Sequence, residues 1–310
     1  MKIFVAGATG ALGKHVVPLL TGTGHEVTAV ARTPEKAAVL ERAGARPMSV
    51  DLFDAAAVRA AVAGQEAVVN VATHIPPTSK AFLPWAWKEN DRIRREASQH
   101  LVEAALAAGA GRFVQESFAP MYPDRGDAWI DEAVPVQPAP YSRSTVTAEE
   151  QAHHFTRSGG AGVVLRFGYF YGPEAGFTRD TIESVRKGRA PVFGAGEGFI
   201  SSIHLEDAAA AVLAALDLPA GTYNVVEDEP LRRRAFFDAL AEALGVPPPK
   251  FLPAWLAPLA GNLGEQLSRS QRISNRKLRE ASGWAPKYPS VREGWPAVVT
   301  ALGAASARPT

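Results

Sequence analysis

The 310-residue sequence contains no cysteine, which excludes disulfides, thiolate nucleophiles and cysteine-ligated metals and removes any call for an oxidising compartment. Charge of one sign is missing too. Lys and Arg number 33 against 32 Asp and Glu, a formal net charge of +1, so no broad field exists to hold a nucleic acid or an anionic membrane. There is no long apolar run: residues 3–6 are apolar but stop at Gly7, too soon for a leader-peptide core or a membrane span, and a cytoplasmic protein is expected. The seven histidines show no HExxH spacing. His153 and His154 are adjacent and would face different sides of a helix, so no metal site is expected. The short arginine runs, Arg92, Arg94, Arg95 and then Arg232, Arg233, Arg234, read as solvated helix faces.

What is present is an ordinary globular composition, 46% hydrophobic and 21% charged, with short β-branched runs alternating with helical patterns. Residues 3–6, 26–31, 47–50, 67–72, 112–117 and 162–167 read as strands, and helices between them imply an α/β, doubly wound parallel sheet buried on both faces. Residues 86–108 read as one long helix, with Trp87, Ile93, Ala97, Leu101 and Ala105 on its packing face. Trp85 and Trp87 read as packing residues, the alternative being the lining of a ligand cleft. After Gly172 and Pro173 the alternation loosens into Pro- and Gly-punctuated helices. The expected organisation is a dinucleotide-binding domain over residues 1–172, rejoined by about 199–226, and a smaller substrate lobe made mainly of residues 173–310. Residues 301–310 read as a frayed tail.

The segment IFVAGATGALGKHVV sets Gly7, Gly10 and Gly13 between a strand and a helix, with Thr9, Ala11 and Leu12 in the turn. Glycine permits the tight turn and a close approach of backbone to a pyrophosphate, and the helix start offers free N–H groups and the positive end of a dipole. This predicts a nicotinamide dinucleotide site. Where an acid would hold the ribose 2′-hydroxyl of NAD, the second strand ends in Arg32. A guanidinium there suits a 2′-phosphate, so NADP(H) is preferred and NAD(H) remains open. Asp51 and Leu52 either flank the adenine or, for Asp51, cap the following helix.

With these motifs the sequence resembles the extended short-chain dehydrogenase/reductase superfamily, in its nucleoside-diphosphate-sugar epimerase and dehydratase branch. The resemblance spans nearly the whole chain and rests on residues 7–13, Asp51 and Leu52, Asn70 to Ala72, Ser117 with Tyr122, Asp131 and Glu132, and Tyr141. It continues through Arg166 with residues 171–173, residues 203–207, residues 272–275 and residues 277–284. It implies a Rossmann fold and an NAD(P)-dependent oxidoreductase or epimerase. Cofactor contacts would come from the turn, from Val71, Ala72 and Thr73, from Tyr141, and from Phe167, Gly168 and Phe170.

The resemblance also implies a catalytic tyrosine, Tyr141, a lysine four residues on that lowers its pKa and holds the cofactor ribose, and a serine or threonine on the preceding strand that hydrogen-bonds the substrate oxygen. Here position 145 is Thr145, and the hydroxyl position four before Tyr122 is Phe118, with Ser117 one residue away. The asparagine that meets the nucleotide part of a sugar-nucleotide substrate is Tyr169. Tyr141 and Ser117 are the catalytic candidates, and His74, Phe118, Ala119, Tyr169 and Arg272 the substrate candidates. Without a nearby ammonium the phenol stays protonated, which favours NADPH-dependent reduction or redox isomerisation of a small carbonyl compound. A non-catalytic NADP(H)-binding redox sensor is an alternative. A sugar-nucleotide epimerase or dehydratase, with Arg269 and Arg272 on a diphosphate, is another. A homodimer is left open.

Overall fold

In the computed structural model, which describes residues 1–306, seven parallel strands form one sheet in the order β12-β7-β5-β4-β1-β2-β3. The strands and helices alternate along the chain as β1 (Lys2–Ala6), α1 (Gly13–Gly22), β2 (Glu26–Val30), α2 (Pro34–Arg42), β3 (Arg46–Met48), α3 (Ala55–Val62) and β4 (Ala67–Asn70). Next come α4 (Lys88–Arg92), α5 (Ser98–Ala107), β5 (Arg112–Phe118), β6 (Trp129–Ile130), α6 (Arg143–Arg157), β7 (Ala161–Phe167) and β8 (Tyr169–Tyr171). After α7 (Gly176–Arg186), β9 (Arg189–Phe193), β10 (Phe199–Ile200), β11 (Ser202–His204) and α8 (Leu205–Ala214), the chain returns to the sheet as β12 (Gly221–Val225), paired with β7.

Alternation along each strand feeds two cores, because successive side chains leave opposite faces. Ile3, Val5 and Val69 join Val16, Leu20 and Val212 on the α1 and α8 side. Phe4, Ala6 and Val68 join Val58, Leu101 and Phe155 on the α3, α5 and α6 side. A third cluster lies beyond β8, where Ile182, Val185, Phe236, Phe237 and Leu240 pack with Trp295 and Val298. The predicted tail is helical in part: a helix runs over Val291–Ser306, and the remaining residues of that expectation lie outside the described ones.

Local chemistry sets the boundaries. Pro34 opens α2 behind Thr33, whose hydroxyl accepts from the Lys36 amide. Asp54, not Asp51, caps α3, accepting from the Ala56 and Ala57 amides, while Asp51 accepts from Phe53 within its own turn. The expected long helix over residues 86–108 is instead composite. A 3-10 turn over Pro84–Trp87 leads into α4, a wider π-type turn spans Ile93–Ala97, and α5 follows. Among the described residues no helix is long and apolar enough to cross a membrane.

Candidate active site

The sheet order reverses between β1 and β4, whose carboxyl ends adjoin: the Val71 amide donates to the Ala6 carbonyl at 3.0 Å. A crevice for a ligand opens at such a point. Gly7 follows β1 with φ +85°, and a Cβ there would stand 2.5 Å from the Ala72 amide nitrogen and the Val71 carbonyl. A Cβ on Gly13 would strike the Gly7 carbonyl. The turn therefore admits only glycine at both places, and it presses against Val71 and Ala72. Ahead of α1 the Ala11 and Leu12 amides make no hydrogen bond among the described residues, and α1 carries no acid in its first turn. Free donors, a dipole end and a side-chain-free wall fit a dinucleotide pyrophosphate. Thr73 and His74 lie exposed beyond the strand, and Arg32 is exposed at the end of β2, without an ion pair among the described residues. Arg32, Thr33 and Ser49 help rim a cavity of about 320 Å³.

Tyr141 stands in the 3-10 turn just before α6, half-buried, with its ring 4.7 Å from that of Trp87. Trp87 is itself fixed by its indole N–H on the Ala81 carbonyl at 2.8 Å. Trp85 is 57% exposed. Burial drives the Tyr141 phenol well above its ordinary pKa, and the neighbouring Tyr169 phenol adds to this, while Arg269 pulls the other way. The Tyr169 phenol is pushed up as well, again chiefly by burial. Phe118 meets Tyr169 edge to face at 5.7 Å. Aromatic side chains thus touch each other at the two positions where the family resemblance calls for a hydroxyl and an asparagine.

Position 145 is not empty of cation. Thr145 is fully buried one helical turn past Tyr141, and its Oγ1 accepts a short hydrogen bond from Arg94 Nη1. Arg94 Nη2 binds both oxygens of Glu116, at 3.1 and 3.2 Å. The expectation that Arg94 is a solvated surface residue is overturned, since it is 4% exposed. It lies on the buried side of the π-type turn at Ile93–Ala97, with Ile93 and Ala97. Arg233 corrects the same expectation: it is 7% exposed and donates to the Arg269 carbonyl. A charged residue on the stripe of Trp87, Ala97 and Leu101 was the available signal for Arg94.

Farther along α6, Ser117 donates to Glu149 at 2.5 Å, and Glu149 takes Arg166 as a two-pronged partner through Nε and Nη2, at 2.8 and 2.7 Å. Arg166 Nη1 donates to the Tyr122 hydroxyl at 2.7 Å, and Tyr122 donates to Asn224 at 2.9 Å. Burial pushes the Tyr122 phenol up to about 12. Ser117 is fully buried with its hydroxyl committed to Glu149 in this network.

Other candidates are dispersed. Ala119 is fully buried in a small cluster with Tyr122, Ile130 and Ile273, and Phe167 is a core residue in ring contact with Phe170 at 5.2 Å. Gly168 passes so close to the Ser201 carbonyl that a Cβ would lie 2.6 Å from it. Arg272 stacks over Trp129 and Phe199, at 4.1 and 5.0 Å, and Arg269 pins the Tyr122 and Gln137 carbonyls. Those two guanidiniums bind this fold's own rings and carbonyls. Among the described residues no cluster of His, Asp and Glu could hold a metal ion.

The family described as the NAD dependent epimerase/dehydratase family matches residues 3–226. A 3-diazoavenalumate denitrifying reductase from a Streptomyces species is 37% identical over 305 residues, covering 95% of this chain and 99% of the relative. A 4-hydroxy-2-methyl-3-oxo-4-farnesyl-3,4-dihydroquinoline-1-oxide ketoreductase from Stigmatella aurantiaca is 25% identical over 280 residues, covering 87% of this chain and 81% of that protein. The Thermus thermophilus UDP-glucose 4-epimerase, solved in complex with NAD, aligns with a TM-score of 0.79 at 25% identity, covering 98% of this chain and 100% of that one.

Proposed function

The chain belongs to the NAD dependent epimerase/dehydratase family, and on that premise we propose that it is an NADPH-dependent reductase of a small aromatic acceptor, at a carbon bearing either a diazo group or a carbonyl oxygen. The observation that carries this reading is the aromatic contact of Phe118 with Tyr169, beside a Tyr141 phenol held protonated under Trp87. A flat, apolar acceptor matches such rings better than a polyhydroxylated sugar does.

When bound, the cofactor supplies a hydride equivalent. The glycine turn and the α1 amides hold its pyrophosphate, and Arg32 pairs with the 2′-phosphate. Oxidising an alcohol, the first half of an epimerase cycle, requires a base, and a phenol raised by burial is a poor one. Reduction needs none. A carbonyl acceptor takes its proton from the Tyr141 hydroxyl as the oxygen gains charge. An aryl diazonium acceptor needs still less: the carbon accepts hydride, the C–N bond breaks, and its electron pair departs with dinitrogen. No proton is transferred at that carbon, so the replacement of lysine by Thr145 costs this chemistry nothing. The 37% identical relative, a denitrifying reductase by name, supports that arm.

The test follows reduced-nicotinamide absorbance with a phenolic aryl diazonium acid, an aryl ketone and UDP-glucose as substrates. Net NADPH consumption with one of the two aromatic compounds is expected, with dinitrogen released in the diazo case. Conversion of the sugar nucleotide without net cofactor consumption would overturn the reading.

A further inference from the structure

We propose that Arg94, with Asn90, holds the nicotinamide ribose of the cofactor, taking over the grip that a lysine at position 145 would supply. This rests on the dinucleotide-binding reading above. Arg94 reaches position 145 directly, through the hydrogen bond from Nη1 to Thr145 Oγ1. Among the described residues its Nε has no partner although it is buried, and neither has Nδ2 of Asn90, which is fully buried. Positions 90 and 94 are one turn apart, so both side chains lie on one face of the helix.

Such buried donors are costly to leave unpaired, and two of them on one face mark a place for an oxygen-rich ligand. The location is the cofactor crevice. Asn90 Oδ1 accepts from the His74 amide at 2.9 Å, and His74 follows the Val71 and Ala72 backbone that packs against Gly7. Ribose hydroxyl oxygens, one turn of α6 from the phenol that faces the substrate, supply the missing acceptors. Glu116 supplies the counter-charge to Arg94. The charge that would draw the phenol down is thereby neutralised within the pair, and what remains is directional hydrogen bonding. The grip and the acidification, joined in one lysine elsewhere, are separated here.

Calorimetry with two probes tests this: NADPH, and adenosine 2′,5′-bisphosphate, which has the adenine end of the cofactor without the nicotinamide ribose. In Arg94→Met, NADPH affinity should fall ~10-fold or more, the loss expected for hydrogen bonds to a charged donor, while bisphosphate affinity stays within about twofold of the parent. In the Arg94→Met, Thr145→Lys double variant the ammonium returns to position 145 and NADPH affinity should recover. Equal losses for both probes would mean a merely structural ion pair, and no loss for either would mean no contact, and each result overturns the proposal. If Arg94→Met does not fold, Arg94→Lys, which keeps a charge beside Glu116 but lacks the Nε donor, must show the same selective loss. A parent protein that binds neither probe refutes the dinucleotide reading itself, a result distinct from any of these.

Discussion

Two buried arginine–glutamate pairs flank α6, and they differ in completeness. Arg166 uses Nε and Nη2 on Glu149 and Nη1 on Tyr122, and Glu149 takes Ser117 besides, so each guanidinium nitrogen has a partner. Arg94 uses Nη2 on Glu116 and Nη1 on Thr145 and leaves Nε unpaired among the described residues. The filled guanidinium ties helix to sheet, joining β5, α6 and β7, and through the Tyr122 hydroxyl it reaches Asn224 of β12. An open one, at the same depth, retains bonding capacity for something the chain does not contain. Burial and pairing to a glutamate are alike in the two, and what differs is that one guanidinium is fully used while the other has a nitrogen to spare.

Breaking the closed pair should have the largest effect. Glu149→Gln leaves Arg166 buried without its carboxylate and should cost about 3–5 kcal/mol in urea unfolding, with NADPH affinity of the folded fraction unchanged; a selective loss of affinity would erase the contrast between the pairs. At the start of the same helix, Tyr141→Phe removes the proton donor while keeping the ring on Trp87. Turnover of a carbonyl acceptor should fall by ~100-fold or more, while a diazonium acceptor should be reduced nearly as before, and equal losses in steady-state assays would refute the division of chemistry. The contrast extends to the two ends of the cofactor: Arg32→Ala should weaken NADPH by about tenfold, the value of a charge-assisted pair with phosphate, and leave NADH unaffected in a fluorescence titration.

The smallest effect concerns a buried glutamate without an arginine. Glu227 accepts from Tyr171 at 2.5 Å and Ser202 at 2.7 Å, and burial raises its pKa from 4.5 to about 8, with Asp207 and Glu293 adding to the rise. Because the folded value lies above the unfolded one, its contribution to stability is fully present below pH 4.5 and is lost as pH rises through about 8. Glu227→Gln should flatten that slope in thermal melts across this window, and an unchanged slope would assign it to another group.

Much of the fold is legible in local pattern. Short apolar runs place β1, β4, β5 and β7 to within a residue or two, since a strand buried on both faces is largely apolar, although β5 and β7 also carry the buried Glu116, Ser117 and Arg166 toward their carboxyl ends. The glycine turn is equally plain, for Gly7 and Gly13 leave no room for a side chain. Less legible was Arg94. A run of three arginines and acids reads as solvent-facing, yet helical spacing puts the middle one on the packing stripe between Trp87 and Leu101, where it is buried. Asp51 and Asp54 show a similar limit, because either aspartate suits a helix start and the chain geometry chose the second. Ser117 was separable from a substrate-facing hydroxyl only once Glu149, thirty-two positions later, was seen to receive it.

The sheet's last strand, β12, comes from residues 221–225 and pairs along the length of β7. During synthesis β7 therefore emerges with an open edge, and it keeps that edge while the ribosome adds the fifty-odd residues that make β8 through α8. A parallel edge of Val163, Val164 and Leu165 is a template for wrong partners, and such distant pairings form slowly. A fragment ending near Gly172 should accordingly aggregate instead of acting as a free-standing nucleotide-binding unit, and chaperone demand should peak while the intervening segment is still being made.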